Sequence, residues 1–391
     1  MKIVKLLSKN TETALVTIFL MLFSLGQLQR VTVTNEVAFY LHDLIIAGFL
    51  LLDIFTEQKI SYVLKKILLS WQKIIRRYPL ETAWFGWLVF GMVVGSLAGQ
   101  VTFKALLYLT RIIAYLSFIW LVGQKKQLTY SFKQGLLVAG SLIGAWGLLQ
   151  YWLLPDVRFL YLFGWDNHYY RLISTLFDPA FTGVALVLTI GLWQMPSIFS
   201  KIPQKWRLIA QILLAGTVAA TFSRASYAAL LVLLGLWWAA KKIHWRPSLL
   251  IIAVLLATIL ILPKPGGEGV NLARTSTAEA RASNAHQGLE RLQGAQWLWG
   301  RGMFNNDVSQ DYQTPSHAQL PDSLPVLSLN ATGVGGTILS LLVLKQWLVK
   351  WWKKDPIWTS MLVAVLIHSL FNNTLLQPFV FLMLWGSKAK N

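Results

Sequence analysis

The chain has 391 residues, 55% of them hydrophobic and 13% charged, with a mean hydropathy of +0.53. A soluble domain does not carry that balance, so the class is an integral membrane protein. The absence of cysteine excludes disulfides and thiolate metal sites. A formal charge of +19 placed beside apolar blocks points to topology and anionic head groups, with no nucleic-acid partner expected.

A membrane-crossing helix needs about 20 mainly apolar residues. Blocks of that kind fall near 12–29, 36–55, 81–98, 101–123, 132–154, 176–194, 206–221, 225–240, 248–263, 326–348, 357–371 and 374–386. They predict an all-α polytopic membrane protein with about 12 transmembrane helices. Nine occupy 1–262, a large extracytoplasmic loop covers 263–325, and three follow in 326–391. No small-residue cleavage site follows Leu28, so the first block reads as a span and not as a cleaved signal. Between the second and third blocks, 61–80 sets Lys65, Lys66, Lys73, Arg76 and Arg77 among apolar residues. That pattern is a basic amphipathic helix on the inner membrane surface, or simply a solvated topology signal.

Positive charge alternates between the two sides. Lys2, Lys5, Lys9, Lys125, Lys126, Lys133, Lys201, Lys205, Arg207, Lys241, Lys242, Arg246, Lys345, Lys350, Lys353, Lys354, Lys388 and Lys390 gather on one side. By the positive-inside rule that side is the cytoplasm. The expected location is therefore the cytoplasmic (inner) membrane, multi-pass, with both termini inside and the 263–325 loop outside. Outer cations are mostly arginine: Arg30, Arg158, Arg171, Arg224, Arg274, Arg281, Arg291 and Arg301. Lysine suffices for topology, whereas arginine presents a planar fork matched to phosphate and carboxylate oxygens. Either these forks meet a ligand, or they pair with outer acids such as Asp156, Asp166, Glu279 and Glu290 or with lipid phosphates.

Ionisable residues at membrane depth face the bundle interior and have partners. Asp43 in the second span and Arg111 in the fourth are therefore expected to form a buried pair, and His368 to be a satisfied interior histidine. Ahead of the sixth helix, Asp178-Pro179 reads as an N-cap followed by the first helical residue, with Arg171 at its mouth. Thr221-Phe222-Ser223-Arg224 forms the tight outer turn between the seventh and eighth spans. Ser276 and Glu279 make a capping box that predicts a helix over 277–297, ended by Gly300 and Gly302. Gly333, Gly335 and Gly336 suit close helix packing. Asp307 and Asp311 lack the spacing of a dedicated metal site, so neither metal nor cofactor is expected.

Taken in order, these motifs resemble a known family. They are an Arg before a Pro-containing helix start (Arg171 to Pro179), Ser223-Arg224 at a later span, and an Arg-bearing outer helix closed by Gly300 and Gly302. The last is a polar site ahead of the Gly333–Gly336 span. The family is that of O-antigen ligases and polymerases, part of the C-type membrane glycosyltransferase superfamily, and the likeness covers roughly Arg171 to Gly336. It implies an undecaprenyl-pyrophosphate-linked glycan donor and a glycan, lipid or protein acceptor, without a metal ion. It also implies that Arg171, Arg224 and Arg281 bind the pyrophosphate, with Arg291 as the alternative to Arg281. The chain departs from the pattern at Ala180, Ala225 and Ala331, and in Asp322-Ser323, where His-Asn is usual. The general base then falls to Asp322, which takes the usual His place, or to His317 upstream. Competing readings are a polytopic transporter or flippase of lipid-linked glycans, another glycosyltransferase of the superfamily, and a non-enzymatic relative.

Overall fold

The computed structural model of the protein describes residues 2–33, 38–56, 75–97, 103–196, 198, 202–242, 244–265, 269–303 and 321–389. The basic stretch of 61–80 lies outside the described residues except at its end, as do His317, Asp307 and Asp311. The described residues are all-α apart from one two-stranded pair, β1 (Arg30–Thr32) and β2 (Ala38–Tyr40). The first helices are α1 (Lys2–Ser24), α2 (Leu41–Thr56), α3 (Pro79–Leu97), α4 (Phe103–Gly123) and α5 (Lys126–Leu153). Next come α6 (Pro179–Gln194), α7 (Gln204–Ala220), α8 (Arg224–Ala239), α9 (Trp245–Ile261), α10 (Ser276–Glu290) and α11 (Gln296–Trp299). The chain ends with α12 (Leu324–Lys354), α13 (Pro356–Ser369) and α14 (Pro378–Ser387).

Among the described residues, four helices are long and apolar enough to cross a membrane: α3, α4, α5 and α12. The other apolar helices have 10–17 residues. At 1.5 Å per residue, the 16 residues of α6 rise only about 24 Å. Ten of the twelve predicted blocks contain one of these helices, with shifted ends, and those near 36–55 and 206–221 contain α2 and α7. The fifth begins at Lys126 and not at 132, which places Lys133 on the helix and buries it.

Packing divides the chain into two compact units. The first gathers 1–16, 31–118 and 280–350; the second gathers 17–30, 119–279 and 351–391. In the first unit α12 is not a continuous helix. Its backbone breaks at Gly333, which takes φ +63. A Cβ there would collide with the backbone of Leu298 and Trp299, and one at Gly300 with that of Ala331 and Thr332. Arg301 N and Gly302 N donate to the carbonyls of Asn330 and Ala331 at 2.9 and 3.1 Å. These glycines therefore allow the loop backbone to lie against the broken turn. Gly335 and Gly336 face Trp87, whose indole donates to Thr332 O at 2.9 Å.

The second unit is built around α6. Every residue from Thr182 to Leu192 is buried, as expected of a helix apolar on all sides. It packs against α5, α7, α8, α13 and α14, and α13 lies along α8. Three of these helices start alike: a polar N-cap accepts from the backbone and proline takes the first turn. The pairs are Asp178 with Phe181 N at 2.7 Å, Asp355 with Trp358 N at 3.1 Å, and Gln377 with Val380 N at 2.9 Å. Asp355 also binds Lys388 Nζ at 2.9 Å, and that ammonium lies over the rings of Trp351 and Trp358.

Candidate functional site

In the second unit, the segment joining α5 to α6 carries Arg171 and is tied down residue by residue. Val157 N donates to His168 O at 3.1 Å and Tyr170 N to Pro155 O at 2.9 Å, around a bridge between Asp156 and Tyr169. Gln150 Oε1 accepts from Ile173 N at 3.0 Å, and Leu172 N donates to Ala220 O at 2.9 Å. Thr175 Oγ1 donates to Ser24 O, and Thr182 Oγ1 to Ile173 O. These bonds hold Tyr170, Ser174 and Phe177 at φ 49, 52 and 56. The left-handed region costs a non-glycine residue roughly 1–2 kcal/mol. Backbone strain of that kind collects where a site must be held in one geometry.

The partner of this segment is the turn between α7 and α8. Thr221 Oγ1 donates to Val218 O and accepts from Ser223 N, while Phe222 is fully buried at φ 49. The turn directs two carbonyls at the arginines. Arg171 Nε donates to Thr221 O at 3.1 Å and its Nη2 to Phe222 O at 3.5 Å, and Arg274 Nη2 reaches the same Phe222 O at 3.4 Å. Arg224 Nη1 donates to Leu272 O and Arg274 O at 3.1 and 3.0 Å. Arg274 itself is held by Gly269 O, Asn271 O and Thr277 Oγ1.

Arginine has donors only, so these carbonyls orient the forks without cancelling their charge. Among the described residues, neither Arg171 nor Arg224 lies within 4.0 Å of a carboxylate oxygen. Burial and the neighbouring Arg274 press the Arg171 guanidinium down to about 10, so it stays charged at neutral pH. Burial and Arg171 push His168 down to about 3, so that imidazole is neutral there. The result is a cluster of arginines with a neutral ring beside it, and the carboxylates of Asp178 and Asp166 act on Arg171 from farther away.

Two of the sequence candidates, Arg171 and Arg224, thus meet in one cluster with Arg274. The other described candidates belong to the first unit. Arg281 lies on α10 and Arg291 just beyond it, both partly buried. The helix expected over 277–297 stops at Glu290, and Gly294 (φ 51) separates it from α11. Its first backbone bond runs from Glu279 N to Thr275 O, one residue earlier than the predicted capping box. Asp322 sits two residues ahead of α12, where its backbone N donates to Asn284 Oδ1 at 2.9 Å.

Asp43 and Arg111 form an ion pair of 2.9 Å in the first unit. Tyr115 Oη donates to Asp43 Oδ1 and Tyr40 N to Asp43 Oδ2, while Arg111 also donates to Ala38 O and lies over the rings of Tyr40 and Tyr108. Both carboxylate oxygens are used, so this network clasps β2, α2 and α4 together. His368, in the second unit, is buried between Ser226 Oγ at 3.2 Å and Thr374 Oγ1 at 2.6 Å.

Arg274 was visible in sequence only as one outer arginine among eight, and nothing in its spacing marked it for this cluster. His168 and Tyr151, which border the cluster, drew no notice. The run His168-Tyr169-Tyr170 immediately before Arg171 was the signal available. Among the described residues, no group of three His, Cys, Asp or Glu could hold a metal ion. No family model, no curated protein and no solved structure matches the chain.

Proposed function

We propose that the chain is an envelope glycan ligase or polymerase. It moves a glycan from a polyprenyl-pyrophosphate donor to an acceptor hydroxyl on the outer side of the cytoplasmic membrane, without a metal ion. The reading takes twelve spans and cytoplasmic termini as its frame. The observation that carries it is the convergence of Arg171, Arg224 and Arg274 on the carbonyls of one turn and one loop. Displacing a pyrophosphate from an anomeric carbon leaves negative charge on the departing oxygens. Preorganised forks that keep their own charge stabilise it.

The acceptor hydroxyl must also lose a proton, and in this reading Asp322 or His317 takes it. A single displacement inverts the anomeric centre.

A flippase of the same lipid-linked glycans would need the same arginines, so the test must read bond formation. Purified protein is given donor and acceptor on the same side of the membrane, and the elongated glycan is measured. Arg224→Lys keeps the charge and loses the two-oxygen geometry. Transfer is expected to fall at least about tenfold, equivalent to about 1.4 kcal/mol, at unchanged protein level. Full activity in that variant would remove Arg224 from the pyrophosphate site, and absence of any new glycosidic product with wild type would sink the enzyme reading.

A further inference from the structure

Several buried side chains of the second unit, Ser141 and Trp237 among them, have a polar atom with no hydrogen bond among the described residues, and two of these side chains, His168 and Tyr151, border the arginine cluster. The His168 ring is 6% exposed, and neither of its nitrogens is bonded. Tyr151 is 2% exposed, and its hydroxyl is likewise unbonded.

Their positions are fixed by the same contacts that fix the arginines. His168 is held through its carbonyl by Val157 N, three residues before Arg171, and its ring senses the charges of Arg171, Asp166 and Arg274. Tyr151 packs with Leu172 and Ala220, the neighbours of Arg171 and Thr221, and meets the Tyr170 ring edge-on at 6.3 Å. A buried polar group left unbonded destabilises a fold, and natural folds retain few of them. Both groups lie beside the segment that carries Arg171, where a polar ligand would give them partners.

We propose that the Tyr151 hydroxyl and the His168 ring are the neutral hydrogen-bonding groups of an oxyanion site whose charge comes from Arg171. The ligand class is a phosphate or pyrophosphate ester. This deepens the pyrophosphate reading given above and rests on it. The chemistry divides in two. The Arg171 guanidinium keeps donors beyond its two carbonyl bonds, and a pyrophosphate has further oxygens that these leave unmet. A neutral hydroxyl and a neutral imidazole N–H supply donors there without adding charge repulsion.

The test uses the full chain in detergent, with inorganic pyrophosphate and farnesyl pyrophosphate as probes. Affinity is measured by calorimetry and the ligand-free Tm by thermal unfolding. Tyr151→Phe deletes one oxygen and keeps the ring, and His168→Leu removes both nitrogens. Each variant is expected to bind about tenfold more weakly, and each to have a ligand-free Tm equal to or above that of wild type, because an unbonded buried polar group has gone. A preference for the farnesyl ester would assign the lipid-linked source, and equal affinities the bare anion; both support the site.

If Arg171→Lys weakens binding while Tyr151→Phe and His168→Leu bind as wild type does, this inference fails and the pyrophosphate reading stands. If wild type binds neither probe, both fail. A Tyr151→Phe protein with a lowered ligand-free Tm would show that the hydroxyl has a structural partner, and would overturn its assignment. Should His168→Leu not fold, Tyr151→Phe decides alone.

Discussion

Arg171 Nε donates to the carbonyl oxygen of Thr221 at 3.1 Å, joining positions 50 residues apart. The bond links the strained segment ahead of α6 to the turn that opens α8. It spends one donor of a five-donor group, so most of the fork remains to bind something else. The strain at Tyr170 and Phe222 is then the means by which the carbonyls and the guanidinium meet.

Membrane sidedness is directly testable because the chain has no cysteine. Single cysteines at Ser283 and Gln127 are expected to differ towards an impermeant thiol reagent. Intact cells should label the first and spare the second until they are opened. The opposite pattern would invert the proposed orientation and with it the outer location of the arginines.

The identity of the base has its own pH signature. The reference pKa is about 3.9 for Asp and about 6.5 for His. With Asp322 as base, transfer should persist down to roughly pH 5; with His317, it should fall as pH drops through about 6.5. Asp322→Asn is expected to abolish turnover while donor binding survives, and His317→Ala only to weaken it. An active Asp322→Asn protein with an unaltered pH profile would leave the carboxylate as no more than a helix-end group.

His168 carries a separate pH effect on stability. Its folded pKa, about 3, lies below the unfolded value of 6.5, so between these values the unfolded chain binds more protons. The sign follows: this contribution to stability is complete above pH 6.5 and is lost as pH falls towards 3. Between pH 6.5 and 5 the loss is about 2 kcal/mol. Unfolding of the detergent-solubilised chain should show that slope, and His168→Leu should flatten it. An equally steep slope in the variant would place the titrating group elsewhere.

The break in α12 predicts a backbone effect with no functional group involved. Gly333→Ala would force a Cβ into the Leu298–Trp299 backbone at a left-handed φ. A loss of about 2 kcal/mol or more is expected, read as a lower unfolding midpoint. Gly48→Ala, in α2 with open space at its Cβ, should be nearly silent. Equal effects at the two glycines would contradict the broken-helix geometry.

Much of the framework was legible before any coordinates. Apolar blocks marked where helices would lie, and Asp178-Pro179 marked the start of α6. Spacing could not reveal the left-handed residues. Phe177 and Phe222 have no glycine-like signature, yet both stand at positive φ. Lys133 looked like a flanking charge because an apolar block does not show where its helix begins, and α5 starts earlier. Gly333 suited simple close packing, yet its conformation is set by a backbone 35 residues upstream in the chain. The convergence of Arg274 with Arg171 was equally hidden, since both are held by carbonyls, which every residue type supplies.

In the twelve-span reading proposed above, the brevity of α6 has a consequence for the lipid around the chain. A rise of about 24 Å falls short of a hydrocarbon layer near 30 Å, and α8, α13 and α14 are no longer than α6. Hydrophobic mismatch of this sign is relieved by local thinning of the bilayer or by polar ends drawn into it. Short acyl chains would seat the second unit with less deformation than long ones. Membrane thickness thereby becomes a variable acting on the segment that carries Arg171.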